Sequence, residues 1–174
     1  MALKWTNSIF NKKSLTRREI IAKFFGHPEH DWIVADGRFS KIFDMLLTSL
    51  KTPVLKQLFI DKTTLFILQK ERLSTVFTFN KDTRVIFVFE GLIELIKTVH
   101  ATQAVAILAH ELGHLYFQHD VRMPERLKAQ LEADYFAIEL GFAQDLLDFL
   151  TDQPKNHDIT MRIGQVQNYL SQAS

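Results

Sequence analysis

The run His110-Glu111-Leu112-Gly113-His114 sets two imidazoles four residues apart, with a carboxylate beside the first. On an α-helix positions i and i+4 share a face, so both rings can bind one zinc ion. Glu111 lies one residue further round, within reach of a water at an open metal position, as a general base must be. Zinc in an open site lowers the pKa of its water to about 7, and the carboxylate takes the proton as the oxygen attacks a carbonyl polarised by the same ion. The chemistry these five residues can do is metal-assisted hydrolysis.

Their setting strengthens that reading. The flanking run TQAVAILAHELGHLYFQH is strongly apolar. Two histidines and a glutamate are costly to bury without a partner, and a metal is the simplest one. A zinc site needs a third protein ligand as well. The next helical run rich in carboxylates, Leu127 to Ala137, carries Gln130, Glu132 and Asp134.

The pairing of AHELGH with Ala133-Asp134-Tyr135-Phe136-Ala137 resembles the HtpX and CAAX prenyl protease type of gluzincin zinc metallopeptidase, which includes soluble members such as BepA. The resemblance covers roughly residues 54 to 170. It implies an α+β fold in which a small sheet packs against the HExxH helix and a second ligand helix. It also implies a zinc cofactor and hydrolysis of peptide bonds in extended or unfolded polypeptides. In that family the second helix reads E-x-x-A-D-x-x-A; its Glu ligates zinc and its Asp supports a zinc-binding histidine. Aligned on Ala133 and Asp134, the ligand position holds Gln130, a neutral carboxamide. Glu132 is the alternative third ligand, but two residues are ~200° apart on a helix, so Gln130 and Glu132 cannot both face the metal. If Asp134 supports a ligand histidine, i,i+4 geometry favours Gln130; if the helix is rotated, Glu132 ligates. The segment from His157 to Arg162-Ile163 is similar to the family's His-Pro…Arg-Ile element, which implies that His157 and Arg162 stabilise the oxyanion of the tetrahedral intermediate. A non-catalytic, peptidase-like binding module is the rival reading, motivated by Gln130.

Of the other histidines, His119 stands five residues beyond His114, ~140° round a continuous helix, which suits a surface or supporting position better than a ligand. His27, His30 and His100 fall near predicted helix ends or loops and take no role.

The elements that must position these residues follow from pattern. Thr16 and Glu19 have capping-box spacing, and IIAKFF supplies an apolar face ending at Gly26. A second helix is expected from Ser40, stopped by Pro53. VLKQLFI, TLFILQ, TVFTF and VIFVFEG read as four strands between 54 and 91, the last two as a hairpin, in a mostly antiparallel sheet. Helical periodicity resumes with LIELIKTV, continues through the HExxH run, and extends from Pro124 to about Leu150; TMRIGQVQNYL closes the chain. The expected organisation is one domain over 1–174, with an N-terminal helical part (1–53), a sheet (54–91) and a helical part carrying HExxH (92–174).

Composition bounds the rest. The chain has 174 residues, no cysteine, and 21 Lys+Arg against 20 Asp+Glu. Without cysteine there is no disulfide framework, thiolate zinc site or Cys nucleophile. Near-neutral charge gives no reason to propose a nucleic-acid partner. No run approaches the ~18–20 apolar residues of a membrane helix, and the N-terminus lacks the apolar core of a secretory signal. A soluble, cytoplasmic protein is expected.

Overall fold

A computed structural model describes residues 15–69 and 82–173. Helix α1 (Arg17–Phe25) starts as its capping box requires: the Thr16 hydroxyl accepts from Glu19 N, the Glu19 carboxylate accepts from Thr16 N at 2.7 Å, and Gly26 caps the end. A single 3-10 turn (Pro28–His30) and the short α2 (Asp31–Val34) lead into α3 (Gly37–Ser49), capped by Asp36. Pro53 does not merely follow α3. It lies in the first turn of α4 (Thr52–Phe59), where its missing N–H costs nothing. The expected strand VLKQLFI is therefore a helix: Val54, Leu55, Leu58 and Phe59 repeat at i, i+1, i+4 and i+5, which suits one helical face as well as a strand.

Among the described residues, strands β1 (Thr63–Gln69) and β2 (Thr83–Phe89) form a two-stranded sheet. They run parallel, in the register Thr63↔Thr83 to Gln69↔Phe89, so the expected antiparallel pairing is corrected. β-branched and aromatic content marks a strand but carries no information on its direction; a parallel pair needs a crossover, not a tight turn. TVFTF and its expected hairpin lie outside the described residues. On the far side of β1, Phe66 N donates to His30 Nε2 at 3.1 Å and Phe66 O accepts from Trp32 Nε1 at 3.1 Å.

Helix α5 (Glu90–Ile96) follows β2 directly, and α6 (Ala101–Tyr116) carries the HExxH run. Helix α6 is apolar on nearly every side, as befits a central helix. Ala104, Val105, Ala106, Leu108, Ala109 and Leu112 are all buried, and α3, α4, α5, α8 and α9 pack around it. The short α7 (His119–Arg122) precedes α8 (Arg126–Glu139), α9 (Ala143–Thr151) and α10 (His157–Ala173). The expected run from Pro124 to Leu150 is thus two helices, parted at Gly141, whose φ of +94° suits glycine. Buried apolar residues from Ile20 to Val166 form one cluster, in which the N-terminal helices, the sheet and the HExxH helix share a core. The fold is α+β and mainly helical. Among the described residues no helix is long and apolar enough to cross a membrane.

Candidate metal centre

Helix α6 ends just past His114, and its last carbonyls have no partner within the helix. Three side chains from elsewhere supply one each: Arg84 Nη1 to Leu115 O at 2.9 Å, Gln57 Nε2 to Tyr116 O at 3.0 Å, and Arg122 Nη1 to Phe117 O at 3.1 Å. The end of the helix that carries the histidines is thereby tied to β2, α4 and α7.

Helix α8 lies against the same stretch of α6, and Gly113 permits the approach. A Cβ built there would stand 2.9 Å from Ala133 Cα and 3.0 Å from both Ala133 O and Phe136 Cβ. Close packing brings Gln130 and Asp134, one turn apart on α8, opposite His110 and His114. His110 Nε2 and His114 Nε2 face each other at 3.1 Å, and Gln130 Nε2 is 3.5 Å from His114 Nε2.

Asp134 is fully buried behind His110. Its Oδ1 accepts from His110 Nδ1 at 2.7 Å, and Arg162 from α10 donates Nε to Oδ2 at 2.7 Å and Nη2 to Oδ1 at 2.8 Å. Burial alone pushes the Asp134 carboxyl up, but the hydrogen bonds from His110 and Arg162 outweigh it and hold the group below its ordinary value. An ionised carboxylate only accepts, so His110 carries its proton on Nδ1 and, when neutral, leaves a lone pair on Nε2. The His114 imidazole is pushed down to about 4 by burial, then by the neighbouring His110 and His119.

The remaining predicted residues lie as follows. Glu111 is exposed and, with His114, lines a groove of about 670 Å³ whose other walls are β2, α5 and Phe149. Glu132 turns away from Gln130: its Oε2 lies 2.8 Å from His119 Nε2 and 3.4 Å from Arg122 Nη1. His157 is exposed in the first turn of α10, whereas Arg162, one turn further on, is engaged with Asp134. Reasoning from spacing left His119 between a surface and a supporting position; the structure sets it beside His114, Nδ1 to Nδ1 at 2.8 Å. The ~140° offset holds only on an unbroken helix. Helix α6 stops at Tyr116, and Gln118 adopts a left-handed conformation (φ 56°, ψ 44°) that swings His119 back.

These residues fit a zinc ion in part. Two ring nitrogens 3.1 Å apart match two ligands sharing one ion at bonds of about 2.0–2.1 Å. Among the described residues no group of three His, Asp, Glu or Cys side chains gathers as a metal cluster. The third donor beside the two imidazoles is the Gln130 carboxamide, whose oxygen and nitrogen exchange places on a half-turn of the amide.

Neither a curated protein nor a solved structure matches the chain. The model of peptidase family M48 does, over residues 54–165, a span that runs from α4 into α10 and holds the whole constellation. With well over half its length matched, the chain belongs to peptidase family M48.

Proposed function

We propose that the protein is a zinc-dependent endopeptidase that hydrolyses peptide bonds in extended or unfolded polypeptides, with Glu111 as general base. The observation that carries this reading is the pair of facing Nε2 atoms of His110 and His114, 3.1 Å apart, with Glu111 opening beside them onto an apolar groove. His110, His114 and Gln130 would hold the ion. When bound, zinc supplies a Lewis acid that polarises the scissile carbonyl and acidifies a water. Glu111 takes that water's proton on its carboxylate and passes it to the leaving amine. Asp134 and Arg162 keep His110 aimed, a role for Arg162 that its bonds to Asp134 support. His157 is assigned to the oxyanion through the family likeness. The apolar wall of β2 and α5 is the natural seat for substrate side chains. Residence in the cytoplasm accords with the absence of cysteine.

One observation favours a second reading, a non-catalytic module that keeps the groove for a protein partner: Gln130 stands where a glutamate ligand is expected and brings no negative charge. Two measurements separate the readings. Protein purified without chelator or added metal should contain about one zinc per chain. Glu111→Gln should retain that zinc while casein hydrolysis falls roughly a hundredfold or more. Unchanged hydrolysis would remove Glu111 from the mechanism, and a wild type that never takes up zinc would leave the binding module.

A further inference from the structure

Behind His114 stands a second polar chain, of a different make from the one behind His110. We propose that His119 and Glu132 are positioning residues that fix the tautomer and direction of His114, leaving its Nε2 lone pair aimed at the metal position. This rests on the metal reading for what the lone pair serves, but the tautomer itself follows from contacts within the chain.

Glu132 Oε2 lies 2.8 Å from His119 Nε2. At neutral pH a glutamate carboxylate is ionised and accepts only. His119 must therefore carry a proton on Nε2. A neutral His119 then offers Nδ1 as a bare lone pair, 2.8 Å from His114 Nδ1. Two nitrogens 2.8 Å apart with no metal position between them share one proton, so His114 must supply it from Nδ1. A neutral His114 is left with its lone pair on Nε2, the atom that faces His110 Nε2 at 3.1 Å. Each ligand histidine is thus oriented by a carboxylate, directly for His110 and through an intervening imidazole for His114.

The backbone is arranged to make this contact. Gln118 is one of two non-glycine residues with positive φ among the described residues, and the conformation costs about 1–2 kcal/mol. Such strain persists only where the surroundings enforce it. Here Arg122 bonds both Phe117 O and Glu132 Oε2, and the Phe117 ring stacks on His119 with centroids 5.8 Å apart. The side chain of His119 is only 7% exposed, so it is a built part of the interior.

The first test reads tautomers directly, by 15N–1H correlation of the imidazoles in metal-free protein at about pH 8, where histidines are mostly neutral. His110 and His114 should carry hydrogen on Nδ1 and His119 on Nε2, and His114 should lose its Nδ1 preference in His119→Ala. His114 found with hydrogen on Nε2 in the wild type would overturn the proposal. The second test is zinc affinity by competition with a chromogenic chelator. His119→Ala and Glu132→Ala should each weaken binding about 10–100-fold. His119→Asn should restore most of the affinity, because its Oδ1 can accept from His114 Nδ1. Wild-type affinity in both alanine variants would overturn the assignment. A wild type that takes up no zinc yet shows the expected tautomers would end the peptidase reading and leave the relay standing.

Discussion

Asp134 Oδ1 is shared between two donors, His110 Nδ1 at 2.7 Å and Arg162 Nη2 at 2.8 Å, while Oδ2 takes Arg162 Nε at 2.7 Å. The carboxylate therefore couples the last helix to the first histidine of the HExxH run. Removing one partner of a buried pair leaves a charge with too little compensation. Arg162→Met should destabilise the fold by about 3 kcal/mol. Adding Asp134→Asn should recover part of that loss, because the neutral amide no longer needs the guanidinium. Chemical denaturation of the two single variants and the double variant gives the coupling; strictly additive losses would contradict it.

Gln130 sets the second prediction. Its amide is 3.5 Å from His114 Nε2, on the same face of α8 as Asp134. Gln130→Glu brings a negative charge to the metal position and should tighten zinc binding roughly tenfold, or about 1.4 kcal/mol. Glu132→Gln gains nothing of the kind, since Glu132 faces His119. An unchanged zinc constant in Gln130→Glu would mean that α8 turns in solution and that Gln130 does not face the ion.

Gly113 sets the third. The three atoms that a new Cβ would strike, at 2.9–3.0 Å, are two backbone atoms and a Cβ, none of which can swing aside. Gly113→Ala should therefore push α8 off α6 and cost about 1–3 kcal/mol, despite alanine's better helix propensity. The displaced helix carries Gln130 and Asp134 with it, so zinc affinity should fall in the same variant. A gain in thermal stability would show that the helices have room to spare.

The site was easier to read from the sequence than the sheet. HExxH on an apolar run fixes two residues on one helical face wherever that helix packs, so local geometry sufficed for His110, Glu111 and His114. Gln130 and Asp134 came from the family likeness, and the i,i+4 rule then favoured Gln130 over Glu132 only on the condition that Asp134 supports a histidine. Spacing put His119 at the surface or in support, but its contact with His114 was out of reach because it depends on one left-handed residue, Gln118, that carries no glycine to announce it. The direction of the strands was out of reach for a related reason: alternation of side chains is the same read either way. VLKQLFI failed through Pro53, which can end one helix or open the next, and only packing decides between them.

Burial pushes the His30 imidazole down from 6.5 to about 4, against a hydrogen bond with Phe24 O that works the other way. The unfolded chain binds the proton near 6.5 and the folded chain only near 4, so the unfolded state holds more protons in between. Stability from this group is complete above the higher value, falls as the pH drops, and levels off below the lower one. The slope for one group is at most about 1.4 kcal/mol per pH unit. His30→Asn should be less stable than the wild type at about pH 7.5, and the gap should narrow by about pH 4.5. A gap that stays constant over this range would clear His30 of the acid sensitivity.

The bonds from His30 and Trp32 to Phe66 have a consequence for how the chain behaves in a crowd. A strand with unpaired amides and carbonyls along its outer side is a template on which other chains can zip. At Phe66, midway along β1, both backbone groups on that side are already taken by an imidazole and an indole from the N-terminal helices. The outer side of β1 is plugged at its centre, where a foreign strand would need a continuous ladder. Protonating His30 removes the acceptor for Phe66 N–H, so acid would both loosen the fold and unplug that side, and edge-to-edge aggregation should set in over the same pH range.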